Sequence, residues 1–506
     1  MGIANPRPVD QSITVGAEGA DFLQLNLGDA PAGGLSDWLT RQLRQAISDG
    51  RLPVGSRLPA SRVLATELRV SRGVVTEAYQ RLSEHGQVAG RGRGGTIVVA
   101  APAPSRLAAP GPTLTEPVPV AEPARPARAL FQDVPGADIF DSLRAAPARI
   151  DLTPGVPDLA AFPRAAWLRA ERAVLAGLSP ADFGYGDPRG TPALRTAVAN
   201  WLARTRGFRA DPADVIIVNG VAQGVGLFAQ VLRDHGIDQV AVEDPGSLGL
   251  RQHLQSLRLR TVPVTVDSGG VRVDELRASG AAAVMLTPAH QFPTGVVLDG
   301  ERRRELIGWA RDGGLIIEDD YDAEHRYDRP PVPAVRSMLT EQVCYVGSVS
   351  KLLAPALRVG WILPPPRHAA TLVAAKRSAD LGNAVLPQLV LARLMESGEL
   401  ERQLRFLRKR HRRRRDAMID AIAAQLPGAR VHGAAAGLHL MVTFDADFDD
   451  GELAGAALAH GIKVQPLSWH RQSPGPPGLV LGYAANPPAI LTEGIATIAG
   501  ITAKPY

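Results

Sequence analysis

Eight prolines fall within the 26 residues from Ala101 to Pro126, mixed with Ala, Thr and Glu. Each fixes φ and lacks an amide hydrogen, so no helix or sheet runs through this stretch and it reads as a semi-extended spacer. A chain with such a divider folds as at least two pieces. Its 506 residues, 45% apolar and 21% charged, allow a small unit before the divider and a large core behind it. The organisation expected is an N-terminal arm over 1–35, a small unit over 36–100, a linker over 101–149 and a large unit over 150–506.

Several function classes drop out early. No run of 18 apolar residues occurs, and the opening MGIANPRPVDQSITVG lacks the charged-then-apolar layout of a signal peptide, so no membrane partner is expected and the location expected is the cytoplasm. The single cysteine, Cys344, excludes an intramolecular disulfide and a cysteine-built metal cluster; its apolar neighbours suggest a buried strand residue. His290, His411 and His439 show no ligand spacing, and no metal is expected. The formal net charge is +5, and its distribution is informative. Ser36 to Ala100 carries ten Arg against five acids, an excess as large as that of the whole chain. Such concentration suits a unit that approaches phosphates.

In the small unit a helical pattern begins at Leu35, with Ser36 or Asp37 as its cap and Leu39, Leu43, Ala46 and Ile47 on one face. Ser61 is expected to cap a short helix through Leu68, and Ser71 a second one reaching about His85. Two helices across so tight a turn make a helix-turn-helix. Gln87 to Val99 then reads as a strand pair around a wing, GRGRGG, whose glycines let backbone approach a duplex. Arg62, Arg72, Arg91 and Arg93 are the cations expected nearest DNA, with Ser71 facing a phosphate. A plain solvated face is the alternative for any one of them. Taken together, the segment from Leu39 to Val98 resembles the GntR-type winged helix. The resemblance implies DNA binding, with Gly73-Val74-Val75-Thr76 a local departure that bears on base contacts.

Beyond residue 150 short apolar runs alternate with longer amphipathic stretches: DVIIV (214–218), QVAVE (239–243), AVMLT (283–287), LIIED (315–319) and VCYVG (343–347). This indicates a mainly parallel sheet covered on both faces, whose ligands bind at the carboxyl ends of strands. Three strand ends carry chemistry. Ser348-Val349-Ser350-Lys351 follows VCYVG, and there a lysine can form a Schiff base with an aldehyde cofactor while Ser348 and Arg358 hold its phosphate. LIIED runs into Asp319-Asp320-Tyr321, where an acid can pair with a pyridine nitrogen and Tyr321 can bond a phenolic oxygen. Two adjacent acids also suit a metal site or a helix cap. Val221-Ala222-Gln223 opens a helix after DVIIV, and its amides suit a phosphate.

With Tyr185-Gly186-Asp187-Pro188-Arg189-Gly190 and Thr287-Pro288-Ala289-His290-Gln291-Phe292-Pro293-Thr294-Gly295, these segments resemble the class I aminotransferase-like domain of MocR-type regulators. The resemblance implies an α+β winged helix joined to an α/β fold-type I, aspartate aminotransferase-like domain that binds pyridoxal 5'-phosphate. By it Lys351 carries the internal aldimine, Asp319 rather than Asp320 faces the pyridine nitrogen, Tyr321 faces the phenolic oxygen, and Ser348 with Arg358 takes the phosphate. Val221, Ala222 and Gln223 lie beside that phosphate, and Tyr185 serves the partner subunit's cofactor in a domain-swapped homodimer. Three departures stand out. Val221-Ala222 lacks the hydroxyl of the family's turn, Ser247 replaces an aromatic, and Val480-Leu481-Gly482-Tyr483 lacks the arginine that grips a substrate carboxylate.

The function expected is a transcriptional regulator that binds operator DNA and senses a small effector, an amine or pyridoxal phosphate itself. Two alternatives stand beside it: an aminotransferase with a DNA-binding appendage, for which turnover without the Val480 arginine is doubtful, and a cofactor-free dimeriser. Arg402 to Arg415, with nine Lys or Arg in fourteen positions, reads as a solvated helix face, with a second DNA-contacting surface as the alternative.

Overall fold

The computed structural model describes residues 30–31, 34–90, 95–100, 130–131, 134–327 and 332–503. The chain divides into two compact units, Met1–Val120 and Ala121–Tyr506.

The first unit contains α1 (Leu35–Ser48), α2 (Ser61–Glu67), α3 (Arg72–Glu84), β1 (Val88–Gly90) and β2 (Thr96–Val98). Leu39, Leu43 and Ile47 repeat at helical spacing along α1 and meet Leu64, Val75 and Leu82 in one buried core. β1 and β2 pair antiparallel, with Val88 opposite Val98. The strand pair and both helices lie where expected, but two caps differ. Gly34, not Ser36 or Asp37, precedes α1, and both of those residues lie inside its first turn. Ala60, not Ser61, precedes α2, so Ser61 is already helical. Ser71 does stand at the cap position of α3, yet its side chain makes no capping bond.

The second unit opens with α4 (Ile139–Ala145), β3 (Ile150–Asp151), α5 (Arg164–Gly177), α6 (Pro192–Thr205) and β4 (Ile216–Val218). Next come α7 (Val221–Asp234), β5 (Gln239–Asp244), α8 (Leu248–Ser256), β6 (Arg260–Asp267), β7 (Gly270–Val271), α9 (Val273–Ala278), β8 (Ala283–Leu286), α10 (Gly300–Arg311), β9 (Leu315–Asp320) and β10 (Val343–Ser348). The remainder is β11 (Gly360–Leu363), α11 (Pro366–Asp380), α12 (Val385–Glu396), α13 (Glu399–Gln425), β12 (Ala429–His432), β13 (His439–Phe444), α14 (Asp450–Ala459), β14 (Ile462–Lys463), β15 (Gln465–Pro466), β16 (Gly478–Gly482) and α15 (Pro488–Thr502).

All five sequence-predicted strands lie in one eight-stranded sheet of order β4-β11-β10-β9-β8-β5-β6-β7. Pairing is parallel from β10 through β6, while β11 runs antiparallel to both of its neighbours. Cys344 is fully buried on β10. A second sheet of order β12-β13-β16-β15 builds the C-terminal layer.

Two expectations are corrected. The linker ends earlier than residue 149: Leu130, Phe131, Ile139 and Leu143 are buried in the large unit's core, because the Pro-rich text stops at Pro126 and apolar residues at helical spacing follow. The arginine run on α13 is only partly a solvated face. Arg410 and Arg414 each hold Asp158 at 2.8 Å, Arg412 donates to the Tyr327 carbonyl, and Arg415 lies 4.9 Å over the Tyr327 ring.

Candidate functional site

In the first unit the fold sorts the arginines. Arg44 is tied to His85 and Gln87, Arg51 to Asp49, and Arg81 to Asp37 and Glu77. Arg62 and Arg72 are exposed and have no carboxylate partner among the described residues. Arg62 lies in the first turn of α2, Arg72 opens α3 just after the turn between the two helices, and the exposed Ser71 hydroxyl, with no hydrogen-bond partner among the described residues, stands at the start of α3. An α-helix N-terminus with cations and an uncommitted hydroxyl is the arrangement that a helix-turn-helix offers to a major groove and its phosphates. Arg69, which sequence reading missed, belongs to the same turn: it is exposed with φ 53°. Arg91 and Arg93 lie outside the described residues.

In the second unit a cavity of about 710 Å³ opens at the carboxyl ends of the sheet, within the range of small-molecule sites. Strand alternation decides which acid faces it. Asp319 lines the cavity. Asp320 points to the opposite face, paired with buried Arg206 and with Tyr345 Oη 2.5 Å away, while Arg206 also holds Glu324 at 2.6 Å. Asp319 Oδ1 is buried and has no hydrogen-bond partner among the described residues. Burial, and after it Asp320 and Asp322, pushes the Asp319 carboxyl up to about 7.

Lys351, in the turn after β10, is half-buried in the cavity wall, and its Nζ donates to the Gly155 carbonyl. Burial lowers its pKa below the ordinary lysine value, opposed by Asp322 and Asp319. An amine that leans towards its neutral form is a competent nucleophile. Gly155 has φ +80°, and a Cβ there would lie 3.1 Å from Lys351 Nζ, so only glycine leaves the amine its place. Burial, and next Asp322, raises the Tyr321 phenol well above its usual range, so it remains a donor. His290 Nδ1 stands 3.0 Å from Tyr321 Oη and 3.0 Å from an Asp322 carboxylate oxygen, and holds the phenol in place.

The end of the cavity at β4 and β10 suits a phosphate. Val221 and Ala222 open α7 with no side-chain cap, and Ser348, Ser350 and Arg358 line the same wall. Arg358, itself left-handed at φ 52°, donates to the Asn219 carbonyl. A Cβ on Gly220 would lie 3.1 Å from its guanidinium.

Two predicted residues are not part of this cavity lining. Gln223 turns away: its Oε1 accepts from Asn219 N at 2.8 Å and its Nε2 donates to Asp380 at 2.7 Å. Tyr185 is 94% exposed and does not line the cavity. The departures also have structural expression. The Ser247 hydroxyl caps α8 by accepting from Leu250 N, and the Phe140 ring lies beside Gly249 in the same cavity wall. Val480 is fully buried against Met441 and Leu467, with Phe292 packed on them, and presents no cation. Sequence reading missed Gly155, Glu243, Asp322, Lys463, Gln465 and His470. Asp322 directly follows the Asp319-Asp320-Tyr321 segment and could have been found there; the others lie far along the chain from Lys351, so no local motif joins them.

A winged helix with an exposed cationic turn, followed by a sheet-end site that lines one cavity with a lysine, an acid and a phenol, defines a DNA-binding protein carrying an aminotransferase-type domain. Residues 35–98 match the family model for bacterial regulatory proteins of the gntR family, and residues 148–477 that for aminotransferase class I and II. The chain is 30% identical over 463 residues to the probable rhizopine catabolism regulatory protein MocR of Rhizobium meliloti, covering 90% of this chain and 91% of that one. It is also 30% identical to the pyridoxine biosynthesis transcriptional regulator PdxR of Corynebacterium glutamicum, over 88% and 91% of the two chains. Among solved structures, kynurenine aminotransferase of Pyrococcus horikoshii superposes with a TM-score of 0.65 at 25% identity, covering 73% of this chain and 94% of that one. The chain belongs to the MocR-type regulators of transcription, which join a GntR-type DNA-binding domain to a fold-type I aminotransferase domain. That fold is the one of pyridoxal-phosphate-dependent enzymes. Among the described residues no helix is long and apolar enough to cross a membrane.

Proposed function

We propose that the large unit of this regulator binds pyridoxal phosphate at Lys351, that a small amine effector enters the same cavity, and that a homodimer presents two winged helices to operator DNA. The observation carrying the cofactor reading is the buried Oδ1 of Asp319, without a hydrogen-bond partner among the described residues, in the same cavity as the half-buried Lys351. A buried acceptor without a partner costs about 1–3 kcal/mol, and a pyridinium N–H is the group that would satisfy it. Bound there, pyridoxal phosphate supplies an aldehyde that reacts with amines and a ring that withdraws electrons.

The chain's own residues divide the remaining work. Lys351 holds the cofactor covalently through Nζ, which must leave the Gly155 carbonyl to do so. Asp319, ionised beside a pyridinium, keeps a proton on the ring nitrogen. Tyr321, steadied by His290, donates to the phenolic oxygen. Ser348, Ser350, Arg358 and the first amides of α7 receive the phosphate. The dimer reading is supported by α5 and the loop after it, where Leu168, Leu175, Phe183 and Tyr185 are all exposed. Apolar side chains concentrated on one segment mark an interaction surface.

Absorption spectra of the full chain titrated with pyridoxal phosphate test the cofactor reading. A visible or near-ultraviolet band in the native chain, absent from Lys351→Ala, is expected. The same spectrum in both would overturn the assignment.

A further inference from the structure

The same cavity is also lined by polar residues that have no role in the cofactor reading above. Lys463 lies on β14 and is only 7% exposed. Its Nζ donates to the Arg144 carbonyl at 2.8 Å, the last turn of α4. It forms no ion pair with any carboxylate among the described residues. Asp151, its register partner on β3 and also in the cavity lining, accepts from Thr153 N and Oγ1 at 2.9 and 2.6 Å through a single oxygen, Oδ1, and makes no ion pair with Lys463. An ammonium carries three donors, so two remain beyond the single carbonyl.

Two residues on, Gln465 stands on β15 directly opposite Val480. Leu248 N donates to His470 Nδ1, so His470 Nε2 carries the proton and donates to Gln465 Oε1 at 3.0 Å. This leaves the Gln465 amide nitrogen, both hydrogens included, without a partner among the described residues. Burial keeps His470 neutral, its pKa lowered to about 3, which fixes that orientation at physiological pH. Lys463, Gln465 and His470 all line the cavity. Arg251 also lines it, but its guanidinium is spent on the carbonyls of Gly246, Trp469 and His470.

We propose that Lys463 and Gln465 form an oxyanion subsite that receives the carboxylate or sulfonate of an anionic amine effector, in place of a guanidinium on β16. The buried Val480 therefore does not make the cavity indifferent to acidic ligands; Gln465 stands on the neighbouring strand β15 and Lys463 two residues before it on β14. A buried cation with no ion pair among the described residues, near an amide whose hydrogens have no partner there, suits an acceptor with two or three oxygens. Neutral alkylamines and polyamines gain nothing there. The inference rests on the cofactor reading above, because the ligand's amino group must point towards Lys351.

Calorimetry on the full chain loaded with pyridoxal phosphate tests this, using α-, β- and γ-amino carboxylates, an aminosulfonate, and the alkylamines of matching length. The native chain is expected to bind at least one anionic amine about 10- to 100-fold more tightly than its neutral counterpart. Lys463→Met removes that preference, Lys463→Arg retains most of it, and Gln465→Leu reduces it. If Lys463 serves only as a cap on α4, Lys463→Met lowers stability while the preference stays, and the proposal fails. Equal binding of anionic and neutral amines by the native chain also overturns it, and the carboxylate and sulfonate arms separate the two oxyanions. The absorption band, recorded on the same samples, scores the cofactor reading separately: loss of the band in Lys463→Met alone assigns the lysine to the cofactor and refutes the subsite, whereas absence of the band in the native chain removes the cofactor and the subsite with it.

Discussion

Replacing Asp319 by Asn separates the stability that this site costs the chain from the binding it provides. In the cofactor-free chain burial holds the Asp319 carboxyl at about 7, against an ordinary 3.8 that returns on unfolding. Between those values the folded state retains a proton that the unfolded state has released, so stability falls as pH rises. At about 1.36 kcal/mol per pH unit, the penalty is on the order of 4 kcal/mol, complete above pH 7 and absent below about pH 4. Asparagine keeps the shape and carries no charge, but its amide is itself short of partners, at a cost of about 1–3 kcal/mol. The cofactor-free Asp319→Asn chain is therefore expected to be more stable than the native one at pH 8 by roughly 1–3 kcal/mol, with the gap shrinking by more than half at pH 5. Pyridoxal phosphate binding moves the other way. Losing one charge-assisted bond weakens it about 10- to 100-fold. Thermal melts at pH 5, 6.5 and 8 without cofactor, together with a cofactor titration at pH 8, provide both measurements. An Asn variant no more stable than the native chain at pH 8, or a gap that is the same at pH 5, would refute the electrostatic reasoning.

Other outcomes follow from the same geometry. Arg72→Ala is expected to weaken binding to operator and to random duplex alike, and to lower the salt slope of log affinity by about 0.9; an unchanged slope removes Arg72 from the phosphate contacts. Asp320→Ala leaves Arg206, fully buried, with Glu324 as its remaining acidic partner, so calorimetric melts should register a loss of about 3–5 kcal/mol. Tyr79→Phe deletes the 2.8 Å bond from Tyr79 Oη to the Pro59 carbonyl and should cost the winged helix about 1 kcal/mol in chemical denaturation, with the cofactor spectrum unaltered.

Much of the site was legible because its parts sit at the ends of short apolar runs. Lys351, Ser348, Asp319, Tyr321, Val221 and Ala222 each lie at or just beyond the end of a strand whose continuous hydrophobicity marks it as buried on both faces, and a parallel sheet delivers such ends to one edge. The Asp319 and Asp320 ambiguity needed strand alternation and the sight of Arg206 occupying Asp320. Gln223 was misread because position beside a phosphate wall does not fix a side chain's direction, and Asp380 and the Asn219 amide claim it. Lys463, Gln465 and His470 stayed hidden because β14 and β15 are two residues long and show no periodicity. The α13 arginines looked like a solvated face because charge reads as exposure, whereas Asp158 and the Tyr327 carbonyl draw several of them inward. The caps at Ser36, Asp37 and Ser61 missed by one to three residues, as helix ends commonly do.

The central claim is that one chain joins a DNA-reading unit to a site that responds to pyridoxal phosphate through Lys351. Binding of the full chain to a duplex from its own promoter, measured at fixed salt with and without pyridoxal phosphate, in native and Lys351→Ala forms, tests it most directly. The account predicts specific binding by both, with an affinity or footprint that the cofactor shifts in the native chain and leaves untouched in Lys351→Ala. Promoter binding no better than to random duplex, or an identical cofactor response in the two forms, would contradict it.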